Sequence, residues 1–165
     1  MDNAFQFEET TDGFCAESDW PYAMRKHYLF GCRRFKSKCT VVPNTKVSSF
    51  VDVQNTTESL MKAISIQPVS VGIQASGIDF QLYSGGIIDG KCGAELDHGV
   101  TAVGYGIQNG TKYWLVKNSW GASWGEKGYF KLSFNSTNAV NEGQCGILMM
   151  ASVPTLNIDS STSIV

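Results

Sequence analysis

The sequence predicts an α+β chain in which an antiparallel sheet dominates and the helices are few and short. Three observations carry this. Two β-branched and aromatic runs, Val100 to Gly106 and Thr111 to Val116, flank Asn109-Gly110. That dipeptide suits a two-residue hairpin turn, because both central residues of the turn need positive φ. Val69, Val71 and Ile73 alternate with Ser70, Gly72 and Gln74, and Phe130, Leu132 and Phe134 alternate after Tyr129, the period of half-buried strands. Helical signals are confined to Met1–Phe7 and to the segment between Asn55 and Pro68.

With 165 residues, 42% of them hydrophobic, the chain can bury one core and is too short for two substantial ones. A net charge of -2 and a pI near 5.6 argue against general affinity for nucleic acid or an anionic membrane surface. The longest apolar run, Ile147 to Ala151, cannot span a bilayer. Met1-Asp2-Asn3 lacks the basic and apolar regions of a secretory signal.

Taken in order, Met1–Phe7 carries apolar residues at Met1, Ala4 and Phe5, as at the end of a helix, and is too short to stand alone. Glu8 to Pro43 reads as loop, with Trp20-Pro21-Tyr22 in its middle. Arg25, Lys26, Arg33, Arg34, Lys36 and Lys38 make it basic, and we read it as a solvated surface rather than a polyanion site, with His27 exposed and non-catalytic. Asn55 with Glu58 three residues later resembles a capping box. Leu60, Ala63 and Ile64 follow as an apolar face, and Pro68 ends the helix. Gly121, Gly125 and Gly128 punctuate a wide turn around Trp124. Beyond Pro154 the polar run Asn157 to Ser163 has little to bury, so residues 1–155 are expected to form the domain and 156–165 a mobile tail.

The hairpin brings His98, at the start of one strand, back towards Asn118, at the end of the other. Pairing Gln108 with Thr111 puts Thr101 opposite Asn118 and leaves His98 three residues along, roughly 10 Å at ~3.3 Å per residue. A bulge near Gly104 or Gly106 would close that gap and re-aim the imidazole. An amide bonded to one ring nitrogen would fix the tautomer of a general base. From the pattern alone, a histidine satisfied within a sheet and an asparagine in a turn explain the same residues.

The wording of the whole stretch discriminates. Leu96-Asp97-His98-Gly99-Val100, Val103-Gly104-Tyr105-Gly106, Tyr113-Trp114-Leu115-Val116-Lys117-Asn118-Ser119-Trp120-Gly121 and Trp124-Gly125-Glu126-Lys127-Gly128-Tyr129 closely resemble the papain-like cysteine peptidases of the cathepsin L type. The likeness extends to Gln67-Pro68-Val69-Ser70-Val71, Asp79 to Ile87, Cys145-Gly146-Ile147 and the Trp20-Pro21-Tyr22 phrase. The resemblance implies the antiparallel barrel-like half of the papain-like fold with a remnant of the helical half. It implies His98 and Asn118 as a catalytic pair, with Trp120 shielding their bond and, as a substrate-binding residue, lining the leaving-group side. Gly72, Leu96, Gly99 and Met150, with Asp97 beside them, fall at substrate-binding positions. A disulfide between Cys92 and Cys145 follows too, as does the absence of any metal or organic cofactor. Peptide or protein substrates and protein protease inhibitors are the partners implied.

The family's Cys-Gly-Ser-Cys-Trp nucleophile phrase occurs nowhere in the sequence, and Met1-Asp2-Asn3-Ala4-Phe5 resembles an internal helix of the family. The expectation is a C-terminal portion of an endopeptidase that is inactive alone; the alternative is an inactive homologue acting as a binding or inhibitor-decoy protein. Five cysteines leave at least one without a partner in the chain. By resemblance Cys39 pairs with a residue outside these 165, which leaves Cys15 and Cys32 to pair with each other or stay free. The acceptor tripeptides beginning at Asn55, Asn109 and Asn135 are compatible with a secretory route. Together with the bridges they suit a lysosomal or other acidic vesicle, or an extracellular setting.

Overall fold

A computed structural model of the chain describes residues 1–19, 39–136 and 138–157. In chain order the elements are α1 (Asp2–Glu9), β1 (Val47–Asp52), α2 (Thr57–Ile64), β2 (Val69–Ile73), α3 (Ile78–Gln81), β3 (Ile87–Ile88), β4 (His98–Gln108), β5 (Thr111–Lys117), β6 (Tyr129–Ser133) and β7 (Ala151–Leu156). The contacts divide them into a larger unit, Met1–Asp2 with Val51–Val153, and a smaller one, Asn3–Phe50 with Pro154–Val165. No helix among the described residues is long and apolar enough to cross a membrane.

The larger unit holds the sheet expected from the alternating runs, with neighbours in the order β7-β2-β4-β5-β6-β3. All these pairings are antiparallel except the short β3–β6 pair. Register aligns the apolar residues into rows: Val69 lies opposite Ala102, Ala102 opposite Val116, and Val116 opposite Phe130. All four side chains are buried. Leu60 and Ile64 of α2 join them, together with Trp114, Leu132, Ile147 and Leu148. Each such side chain taken from water contributes about 1.5–3 kcal/mol, which is why the strand period survives as structure.

Helix α2 starts one residue later than the capping-box reading placed it. Thr56, not Asn55, is the cap: its backbone is extended and its Oγ1 accepts from Ser59 N–H at 3.1 Å, while its hydroxyl donates to Ser59 Oγ at 2.9 Å. A threonine hydroxyl in the cap position reaches the N3 amide directly, so Glu58 is not needed for a reciprocal bond.

In the smaller unit Phe5 of α1 packs on Phe50 at 5.9 Å between ring centroids. The end of β7 lies along β1, with Ser48 Oγ donating to Thr155 O and Asn157 N–H donating to Lys46 O. Here Cys15 and Cys39 are bridged, with Cα atoms 5.7 Å apart. This corrects the expectation that Cys39 pairs outside the chain and that Cys15 pairs with Cys32 or stays free. An isolated bridge of Cys15 with Val41 and the bond from Val42 N–H to Phe14 O set the two short segments side by side. That brings the cysteines within disulfide reach. Cys32, the Trp20-Pro21-Tyr22 phrase, the basic cluster with His27, and residues 158–165 of the expected tail lie outside the described residues.

The cap assignment makes a direct prediction. Thr56→Ala lowers the unfolding free energy by about 1 kcal/mol, whereas Asn55→Ala leaves it unchanged, as read by urea denaturation of the purified chain; equal losses would return the cap to Asn55.

Candidate active site

The geometry of His98 and Asn118 follows from an irregularity in β4. From the turn, Gln108 pairs with Thr111 and the register runs regularly to Gly104 opposite Leu115. It then shifts, and Ala102 lies opposite Val116 and Thr101 opposite Lys117. Val103 is the extra residue. Side chains alternate along a strand, so one inserted residue exchanges the faces of everything beyond it. In the unshifted register His98 and Asn118 would point to opposite sides of the hairpin. With Val103 inserted, the register that ends at Thr101 opposite Lys117 extrapolates to Val100 opposite Asn118, two residues from His98, so that the two side chains share a face as diagonal neighbours. Such neighbours are within reach of long side chains. The bulge lies beside Gly104, one of the two positions expected for it.

His98 Nε2 is 2.8 Å from Asn118 Oδ1. The same oxygen accepts Ser119 N–H at 2.8 Å, and Asn118 N–H donates to Gly128 O at 2.9 Å. A backbone N–H can face only an acceptor, so the Ser119 bond fixes which end of the amide turns to the imidazole. Nε2 must then be the protonated nitrogen, donating to Oδ1, and the neutral ring presents its lone pair at Nδ1. Asn118 is buried, and its Nδ2 has no hydrogen-bond partner among the described residues.

An aromatic wall stands beside the imidazole. The Trp120 ring lies 5.0 Å from the His98 ring between centroids, and Phe80 lies 6.4 Å from His98 and 5.6 Å from Trp120. Trp124 packs on both Phe80 and Trp120 and donates its Nε1–H to Gln81 O at 3.0 Å. The wide turn of Gly121 to Gly128 is therefore both packed by tryptophan and set against the pair. Glu126 ties its far side, accepting from Gly86 N–H, Lys131 Nζ and Tyr83 Oη at 2.9, 2.7 and 3.2 Å. The Lys131 bond holds the Glu126 carboxyl below its ordinary range, while burial, with Glu126 adding, pushes Tyr83 up to about 12.

The four residues Gly72, Leu96, Gly99 and Met150 come together. Gly72 lies opposite Gly99 across β2 and β4, and Gly72 N–H donates to Met150 O at 2.8 Å. A Cβ on Gly72 would come within 3.2 Å of Leu96 Cδ1 and 3.4 Å of Met150 Cβ, so the cluster packs closely around Gly72 and a larger residue there would displace its neighbours. Met1 also borders it, with Cε 3.5 Å from where a Gly99 Cβ would stand. Sequence reasoning missed Met1 and Phe80 as neighbours of the site; both lie in phrases read only for helix or family likeness. Asp97 is exposed, and its Oδ1 accepts Ala75 N–H at 2.6 Å. That bond is the main reason its carboxyl is held below the usual value, with Ser76 and the charge of His98 adding and burial opposing.

Leu96 and His98 follow a loop that is fastened on several sides. Cys92 and Cys145 form the expected disulfide, Cα atoms 4.9 Å apart. Gln144 Nε2 donates to Gly90 O at 2.6 Å, Asn138 Nδ2 to Gly93 O at 3.2 Å, and Glu95 N–H to Gln74 Oε1 at 2.9 Å. Closing a loop of that span contributes about 4 kcal/mol in the chain-entropy account.

Residues 1–155 match the family model of papain family cysteine proteases. Oryzain beta chain from Oryza sativa subsp. japonica is 48% identical over 160 residues, covering 94% of this chain and 32% of that protein. Cysteine protease XCP2 from Arabidopsis thaliana is 47% identical over 156 residues, covering 94% and 42%. The chain thus spans well under half the length of these relatives. Among solved structures, the Amb a 11 cysteine protease of ragweed pollen in its proform superposes with a TM-score of 0.82 at 40% identity, covering 99% of this chain and 43% of that one. Bromelain protease from Ananas comosus in complex with the E64 inhibitor gives a TM-score of 0.79 at 36% identity, covering 94% and 69%. The likeness bears out the α+β papain-like fold.

The lowered Asp97 pKa has a definite sign in stability. A carboxyl whose folded value lies below its unfolded value, about 3.9, contributes stability above that value and loses it as pH falls through the folded one. Asp97→Asn is therefore expected to lower unfolding stability at neutral pH, with the difference from wild type shrinking in acid below about pH 4. Urea unfolding across pH checks this, and a difference independent of pH would contradict it.

Proposed function

Because the chain belongs to the papain family of cysteine proteases, we propose that it is the sheet-bearing C-terminal part of a cysteine endopeptidase and supplies its histidine and asparagine. The observation that carries this reading is the bond of 2.8 Å from His98 Nε2 to Asn118 Oδ1, an oxygen also held by Ser119 N–H. It leaves Nδ1 as the nitrogen able to exchange a proton with a substrate-side group.

The chemistry follows from that assignment, with the thiol contributed from outside these 165 residues. Nδ1 takes the thiol proton, giving an imidazolium beside a thiolate, the species that is nucleophilic. The sulfur attacks the peptide carbonyl carbon. The C–N bond breaks as Nδ1–H passes its proton to the departing amine, and the acyl group is left as a thioester. Water, deprotonated by Nδ1, then cleaves the C–S bond and the thiol is re-formed. Asn118 keeps the ring in one orientation throughout, and Trp120 beside it screens the Nε2 bond from water. In this role Asn118 is a positioning residue.

The surface of Gly72, Leu96, Gly99 and Met150 would form the hollow for the side chain second from the cut bond on its amino side. Its walls are uncharged, and the nearby Asp97 carboxylate is engaged by Ala75 N–H. A basic side chain buried there would lose its hydration without a partner. Partners are accordingly peptide or protein substrates and protease inhibitors; bromelain, a family relative, has been solved with E64 bound. Two disulfides fit an oxidising setting, so the compartment proposed is an acidic vesicle or the extracellular space.

Two assays test the reading. In a peptide library cut by the full-length enzyme, leucine, valine or phenylalanine in the hollow raises kcat/KM on the order of 10- to 100-fold over arginine; equal or faster cleavage with arginine would refute the hollow's assignment. The 165-residue chain alone is expected to hydrolyse no peptide, and cleavage by it that disappears on His98→Ala would overturn the need for an outside thiol.

A further inference from the structure

Strand β4 outruns the strand beside it. Its pairing with β2 spans Ile73 opposite His98 to Val69 opposite Ala102, whereas β4 itself continues to Gln108. Beyond Ala102 it pairs, among the described residues, with β5 alone. The overhang carries Tyr105 and Ile107, which are 43% and 67% exposed. Tyr105 lies opposite Trp114, whose side chain is buried, so the core-facing side of the sheet continues here past the end of the core. An unpaired edge bearing exposed apolar side chains is a template for association between chains.

At the tip of this overhang stands Asn109-Gly110-Thr111, an acceptor tripeptide for N-linked sugar. Asn109 and Gly110 form the turn, at φ 51° and 82°, and both are exposed. We propose that Asn109 is an N-glycosylation site whose glycan covers the overhanging edge of the β4–β5 hairpin. The donor is a lipid-linked oligosaccharide pyrophosphate. Asn109 Nδ2 bonds to the anomeric carbon of the first sugar, the bond from that carbon to the pyrophosphate oxygen breaks, and the amide proton and lipid pyrophosphate depart. His98 lies at the other end of β4, about 33 Å away at ~3.3 Å per residue, so a glycan at the tip leaves the His98–Asn118 pair open. Asn55 and Asn135 are also exposed, but neither lies on this overhang.

Asn109 is remote from the proposed chemistry, so its modification is measured without reference to activity. The full-length protein is secreted from a eukaryotic host, so that the route is imposed, and its glycopeptides are mapped by mass spectrometry. Occupancy of Asn109 is expected. Asn109→Asp, which keeps a dipeptide suited to the same turn, removes one glycan and increases the self-associated fraction in sedimentation velocity, whereas Thr111→Ser retains the acceptor and the monomer. An unmodified Asn109 peptide would overturn the site, and loss of the glycan without a change in self-association would overturn its shielding role.

Discussion

One inserted residue, Val103, governs the arrangement of the sheet and of the pair it carries. The Asn109-Gly110 turn fixes Gln108 opposite Thr111. A regular ladder from there would put Val103 on the face of Trp114 and Val116 and turn Val100 and Ala102 away. The observed shift instead sets Ala102 opposite Val116, so that the buried residues of β2, β4, β5 and β6 form continuous rows. The same shift brings His98 and Asn118 to one face. The hydrophobic requirement and the polar site thus depend on a single change of parity, and the bulge is held by the burial of the side chains it aligns.

The surrounding parts hold that geometry from different directions. Ser119 N–H and Gly128 O fix the asparagine, the rings of Trp120 and Phe80 flank the histidine, and the Cys92–Cys145 bridge fastens the segment leading into Leu96 and His98. The cluster around Gly72 uses the same strands: Gly72 and Gly99 face each other across β2 and β4, with Leu96 and Met150 packed against Gly72. The Gly72 cluster and the His98–Asn118 pair therefore share the same strands, a placement on regular elements that keeps such a constellation in register.

Much of this was legible in the sequence because it is carried by short-range patterns. The hairpin turn, β2, β4, β5 and β6 follow from alternation and from Asn109-Gly110. The need for a bulge follows from the mismatch between His98 and Asn118, although its exact place does not, since Gly104 and Gly106 are both permissive and the inserted residue proves to be Val103 beside the first. What escaped depends on pairing across the chain. β7 contains Pro154 and does not alternate, β1 is mostly exposed and does not alternate either, and both exist through partners far away in sequence. The Cys15–Cys39 bridge needs two segments laid side by side, which no spacing rule reveals. Thr56 displaced Asn55 as cap because two adjacent residues of similar chemistry compete and local backbone geometry decides between them.

The central claim is that the strand register places Asn118 so as to fix the tautomer of His98, with the proton on Nε2 and the lone pair on Nδ1. A long-range ¹H–¹⁵N correlation spectrum of the neutral His98 ring in the folded chain measures this directly. The account predicts one form, protonated at Nε2 and bare at Nδ1, converting to a mixture of tautomers in Asn118→Ala. A ring protonated at Nδ1, or an equal mixture in the wild-type chain, would contradict it.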